Sequence, residues 1–196
     1  MERRTIIMQE LRINQLEEGK TIQGHAAVFN KWSEALGGWF PFREKVMPGA
    51  FSETIQSDDI RALFNHDPNY VLGRNTSGTL QLTEDNVGLK VNITPPDTQW
   101  ARDLMISIER GDINQMSFGF EVISDTWGTE NSMDVRELQK VKLYDVSPVT
   151  FPAYPQTDVQ IRSLNEVFES YKAHKRSIET NIIEILRKKL DLKDKF

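Results

Sequence analysis

The sequence predicts a mainly β fold with helices, of the α+β class. Three observations carry this. Stretches of alternating apolar and polar residues, rich in β-branched and aromatic side chains and separated by Gly, Asn, Asp and Pro, fill most of the first 160 residues. Only two short segments there have helical spacing. Beyond Arg162 the pattern turns helical and stays so to the end.

Taken in order, strands are expected at residues 5–13, 21–29, 60–64, 80–83, 89–93, 115–123 and 135–147. The last carries Leu138, Val141, Leu143, Asp145 and Ser147 and is expected to stop at Pro148, because proline cannot donate to a ladder. Asp85-Asn86-Val87-Gly88 reads as a hairpin turn between two strands. One helix follows Pro95-Pro96, with Asp97 or Thr98 as N-cap, a stripe of Trp100, Leu104 and Ile108, and a stop at Arg110-Gly111. A shorter one is expected near Pro48-Gly49-Ala50-Phe51-Ser52. Residues 30–48, rich in Trp, Gly and Phe without clean periodicity, read as a long loop of the kind that shapes a cleft or meets a neighbour. From Arg162, Leu164, Val167, Phe168, Tyr171, Ile178, Ile182, Ile185, Leu186 and Leu190 fall near one stripe, so residues 162–196 form an amphipathic helical tail beside a domain of residues 1–161. The tail packs back on the domain, docks on a partner, or is removed; the residues leave these open.

At 196 residues the chain suits one domain with an appendage. No apolar run approaches the ~20 residues needed to span a bilayer, so no membrane role is expected. No signal-type apolar stretch follows the N-terminal charges, so secretion is not expected. There is no cysteine, which excludes disulfides and thiolate nucleophiles and suits a reducing cytoplasm. The tail holds nine Lys/Arg against six Asp/Glu, net +3, leaving 15 against 23, net −8, in residues 1–161. An acidic body argues against nucleic-acid binding.

General-base chemistry near neutral pH most often uses histidine, and there are only three. His25 lies in a strand, Gly24-His25-Ala26-Ala27-Val28-Phe29, where alternation makes it a half-buried packing residue, and His174 is most simply a solvated tail position. His66, in Phe64-Asn65-His66-Asp67-Pro68, stands where a strand ends and a turn begins, so it either faces a cleft or bonds its own turn backbone. Ser117, in Met116-Ser117-Phe118-Gly119-Phe120, is either a small polar residue on a strand face or a hydroxyl that an imidazole could activate. It lacks the Gly-x-Ser-x-Gly elbow of α/β-hydrolases. Asp145 shares a mostly buried strand with Leu143, where a carboxylate needs a partner: an imidazole, or an ordinary salt bridge to Arg102 or Arg136. A metal is not expected, since neither His-Glu-x-x-His nor an Asp-x-His upstream of Asn65-His66 is present, and no cofactor motif is found.

Together the runs resemble the prohead (head maturation) proteases of tailed phages of the HK97 type. The resemblance covers roughly residues 20 to 160. It rests on Gly24-His25-Ala26-Ala27-Val28-Phe29-Asn30, Met47-Pro48-Gly49-Ala50-Phe51, Leu63-Phe64-Asn65-His66-Asp67-Pro68, Leu72-Gly73-Arg74, Ser77-Gly78-Thr79-Leu80, Ala101-Arg102-Asp103-Leu104, Arg110-Gly111-Asp112, Met116-Ser117-Phe118-Gly119-Phe120 and Asp145-Val146-Ser147-Pro148-Val149-Thr150-Phe151-Pro152-Ala153. No single run is diagnostic; their order and number are.

The resemblance implies a serine endopeptidase with an antiparallel β-barrel of herpesvirus-protease type surrounded by helices. It matches His66 to the family's catalytic histidine and Ser117 to its nucleophile, and maps the third member onto Asp145, where the herpesvirus relatives use a second histidine. It implies action in the host cytoplasm, inside the immature procapsid. The implied substrates are the scaffolding domain, the major capsid protein and the chain itself; self-association stays open. Phe118 and later backbone N–H groups, or Arg102, are the suspects for an oxyanion hole. Two rival classes remain: an inactive capsid-assembly component with the same barrel, and a carbohydrate- or peptide-binding barrel using Trp32, Trp39 and Phe40.

Overall fold

The computed structural model describes every residue except 8–10, 17–18, 38–39, 152–157 and 194–196. In chain order the elements are β1 (Glu2–Ile7), β2 (Arg12–Leu16), β3 (Gly19–Val28), β4 (Phe42–Val46), α1 (Thr54–Ser57), β5 (Arg61–Phe64), β6 (Asp67–Arg74), β7 (Leu80–Glu84), β8 (Gly88–Ile93), α2 (Gln99–Glu109), β9 (Gln115–Glu130), β10 (Met133–Val149) and α3 (Asp158–Lys193). The fold is mainly β with some helices, its sheet curled as a half-barrel.

Among the described residues the strands make two sheets. The larger runs β1-β9-β10-β5-β6, with β4 also on β10; the smaller runs β2-β3-β8-β7. The spine is the β9–β10 hairpin, closed by Asn131 and Ser132, both with positive φ (50° and 63°). Two left-handed residues suit a two-residue hairpin turn, whose twist matches that of its strands. The other edge of β10 takes β4 and β5 in succession, both parallel.

Several sequence expectations change here. Residues 5–13 are not one strand: β1 joins the larger sheet and β2 the smaller. The expected loop at 30–48 contains β4, whose buried-exposed alternation is too short to stand out among its aromatic neighbours. A strand missed altogether is β6, which holds Pro68; the edge of a sheet tolerates proline because an edge strand leaves half its donors unpaired. Pro148 does not end β10. It pairs with Met116, and its carbonyl accepts from the Asn65 N–H at 3.0 Å on the β5 side. The missing N–H therefore faces that side, near the end of β5, and no bond of the β9–β10 ladder is lost.

α2 starts after Thr98 and ends in a paired cap. The N–H of Gly111 bonds the Ile108 carbonyl and that of Asp112 the Ser107 carbonyl, with Gly111 at φ +81°. Glycine takes that conformation without strain. Ala101, Leu104 and Ile108 are its buried side.

The main core lies between the sheets. Met116, Phe118 and Phe120 point into it from β9, with Phe118 stacked on Phe120 and edge-on to Phe51. Each fully buried phenylalanine contributes about 1.5–3 kcal/mol. The pleat turns Ser117 and Gly119 to the opposite face. A second cluster of Phe42, Trp127 and Val167, joined by Phe40 and Tyr171, holds α3 against the sheet. Tyr171 Oη also donates to Asp134 at 2.9 Å. Farther along α3, Ile182, Ile183, Ile185 and Leu186 are exposed. Among the described residues no helix is long and apolar enough to cross a membrane.

Candidate active site

The hairpin between β5 and β6 turns through Asn65 and His66, with Phe64 paired to Asp67. Both turn residues are left-handed, at φ 54° and 59°. Asparagine accepts this conformation readily; histidine does so less often, and such positions cluster at functional sites. The turn is pinned to the end of β10. Asn65 Nδ2 donates to Thr150 Oγ1 at 3.2 Å, and the Thr150 N–H donates to Asn65 Oδ1 at 2.9 Å. Asn65 thus ties the turn to β10, and the His66 ring reaches across the sheet.

That ring lies between a carboxylate and a hydroxyl. His66 Nδ1 is 2.5 Å from Asp145 Oδ2, and His66 Nε2 is 2.7 Å from Ser117 Oγ. Strand register explains the meeting. Ser117 stands opposite Ser147, and Gly119 opposite Asp145, so all four lie on one face of the β9–β10 ladder. Ser117 and Ser147 are fully buried and Asp145 is 4% exposed, so its charge depends on its partners.

Asp145 does not pair with either arginine considered for it. Arg136 bonds Glu2, Glu44 and Asp125, while Arg102 bonds Asp97 and Gln99 from an exposed part of α2. His25 is held by Asp85 at 2.9 Å, on the smaller sheet, and His174 lies on α3. Trp39 lies outside the described residues; Trp32 stacks under Lys45, and Phe40 belongs to the cluster beneath α3. Among the described residues no group of His, Asp and Glu is arranged to hold a metal.

Two residues of the site had no role in the sequence reading. Ser147 Oγ donates to Asp145 Oδ2 at 2.9 Å, giving that oxygen a second partner besides the imidazole. Gly119 leaves the space the carboxylate fills: a Cβ there would lie 2.6 Å from Asp145 Oδ1. Period-2 alternation could have put both on the same face as Ser117 and Asp145; nothing local could have set them opposite each other.

The floor of the site is closed by β1. Thr5 pairs with Ser117, and the Arg4 carbonyl accepts a hydrogen bond from Ser117 Oγ at 2.9 Å. On the other face of β1, the Arg4 guanidinium bonds Glu44 at 2.7 Å and Glu2 at 2.5 Å. Arg136, under Trp127, joins the same acids and Asp125. Burial opposes both arginine charges, but Glu44 and Glu2 outweigh it for Arg4, and Glu2, Glu44 and Asp125 do so for Arg136, raising each pKa.

Chemically, an imidazole with a carboxylate on one nitrogen and a hydroxyl on the other can accept the hydroxyl proton while the carboxylate balances the resulting charge. The comparisons agree with such chemistry. The chain is 28% identical over 164 residues to the prohead protease of Enterobacteria phage HK97, spanning 80% of this chain and 67% of that one. No solved structure matches. Caudovirus prohead serine protease is the family that matches residues 9–173, most of the chain, and the chain belongs to it: the protein is a serine protease.

Proposed function

We propose that the chain is the endopeptidase of phage procapsid maturation, with Ser117 as nucleophile, His66 as general base and acid, and Asp145 as the group that orients the imidazole. The observation that carries this reading is the continuous line Asp145–His66–Ser117, at 2.5 and 2.7 Å. Ser117 Oγ attacks a peptide carbonyl as its proton passes to His66 Nε2. Asp145 holds Nδ1–H and stabilises the imidazolium, and His66 then protonates the leaving amine. Water attacks the acyl-enzyme, gives its proton to His66, and Ser117 is restored.

The substrates on this reading are the scaffolding domain and the major capsid protein, met inside the immature procapsid in the host cytoplasm. The curled sheet with its flanking helices supports a barrel related to that of the herpesvirus assembly proteases. Residues 1–161 form the protease domain. Residues 162–196 serve as a tail that is self-cleaved or docks on a partner, another copy of the chain included; the exposed Ile182, Ile183, Ile185 and Leu186 favour such a role.

The test is co-expression with the capsid protein, comparing wild type, Ser117→Ala, His66→Ala and Asp145→Asn by mass spectrometry of the products. Cleavage is expected in wild type alone, apart from a trace in Asp145→Asn. Cleavage by Ser117→Ala would remove the nucleophile assignment, and near-normal turnover by Asp145→Asn would place the third member elsewhere.

A further inference from the structure

The edge of β9 beside Ser117 is occupied by a strand of the chain itself. β1 runs antiparallel to β9 from Glu2 opposite Phe120 to Ile7 opposite Gln115. An extended peptide adds to a sheet edge by this same backbone pairing, while its side chains enter pockets that give specificity. Within β1 the carbonyl that meets Ser117 Oγ is that of Arg4, at 2.9 Å. The peptide bond whose carbonyl oxygen meets the hydroxyl is thus the one between Arg4 and Thr5.

The Arg4 side chain shows what the adjoining pocket accepts. Its guanidinium bonds Glu44 through two nitrogens, at 2.7 and 3.2 Å, and lies 5.5 Å from the centre of the Phe120 ring. Without β1, both Glu2 and Arg4 leave. What remains is Glu44 and Asp125 around Arg136, one negative charge in excess, with Glu44 only 4% exposed. A buried excess carboxylate favours an incoming cation.

β1 also engages the hydroxyl itself. Ser117 has one proton, and it cannot be donated to the Arg4 carbonyl and to His66 Nε2 together. With β1 in place Ser117 is fully buried, so no second peptide reaches it.

Resting on the assignment of Ser117 as nucleophile, we infer that the β9 edge held by β1 is the substrate-strand site, and that Glu44 selects a basic residue on the acyl side of the scissile bond. β1 is its intramolecular occupant and must leave before a substrate strand binds.

Two readouts on the full chain test this. The first is the rate at which a fluorophosphonate labels Ser117, located by peptide mapping, in wild type, Arg4→Ala and Arg4→Lys. Loss of the Glu44 and Glu2 bonds is expected to speed labelling about tenfold in Arg4→Ala, with Arg4→Lys near wild type. The second needs no variant: wild type is offered quenched peptides that differ only in Arg, Lys, Ala or Glu at the selected position. Arg and Lys peptides are expected to exceed the Ala peptide by about tenfold in kcat/KM, with Glu slowest. Equal labelling of wild type and Arg4→Ala overturns the occupancy of the site by β1. Labelled Ser117 without a basic preference overturns the role of Glu44. Failure to label Ser117 in every variant defeats the nucleophile assignment, and this inference with it.

Discussion

Gly119 stands directly across the β9–β10 ladder from Asp145, and a Cβ on it would come within 2.6 Å of Asp145 Oδ1. The carboxylate can lie over the strand and meet His66 only because that position has no side chain. Gly119→Ala is expected to lower kcat/KM by about a hundredfold, the cost of a displacement near 1 Å in the carboxylate proposed to orient His66. Fluorophosphonate labelling of Ser117 should slow in parallel while far-UV circular dichroism stays unchanged; an unaltered kcat/KM would show that Asp145 does not need this space.

Ser147 gives Asp145 Oδ2 a second hydrogen bond besides that from His66. Ser147→Ala keeps the imidazole contact but removes a buried, charge-assisted bond, at a cost of about 1.5–3 kcal/mol. Urea unfolding should record that loss as a lower midpoint with an unchanged slope. Activity should fall far less than in Asp145→Asn, since the carboxylate still faces the ring.

Glu84 lies outside the site, at the end of β7. Its two carboxylate oxygens accept from the N–H groups of Gly49 (3.1 Å) and Phe51 (2.8 Å), fixing the turn before α1. Glu84→Ala should destabilise the fold by about 2 kcal/mol, because two backbone donors lose a charged acceptor. The check is urea denaturation followed by tryptophan fluorescence.

Asp85 makes part of the acid stability testable. Desolvation alone would raise its pKa, but the His25 ring and the Gly88 and Val87 N–H groups outweigh this and hold it at about 2, below its ordinary 3.8. A depressed carboxylate stabilises the fold fully above its unfolded pKa, and the contribution disappears as pH falls through the folded value. Wild-type stability should therefore drop between about pH 4 and pH 2, and Asp85→Asn should flatten that limb. Thermal melts across this range would show it.

The strands were legible where alternation ran long enough, as in residues 115–123 and 135–147, and α2 was legible from its stripe and its Arg110-Gly111 stop. β4 and β6 were not. Five residues of alternation among aromatics give a weak signal, and Pro68 argues against a strand unless the strand is known to lie at an edge. Edge position is a property of the sheet, not of the segment.

The site divides in the same way. Local sequence placed His66 at a turn, Ser117 on an apolar strand and Asp145 on a buried one, and the order of the motifs carried the family. Only tertiary structure brought together residues 51 and 79 positions apart, through the pairing of β9, β10 and β5 and the left-handed turn at Asn65-His66. It also put Gly119 and Ser147 around Asp145 and laid β1 across Ser117. The physical reason is register. Alternation settles which face a side chain takes, but which residue it meets is decided by long-range strand pairing, whose energy is spread over both partners.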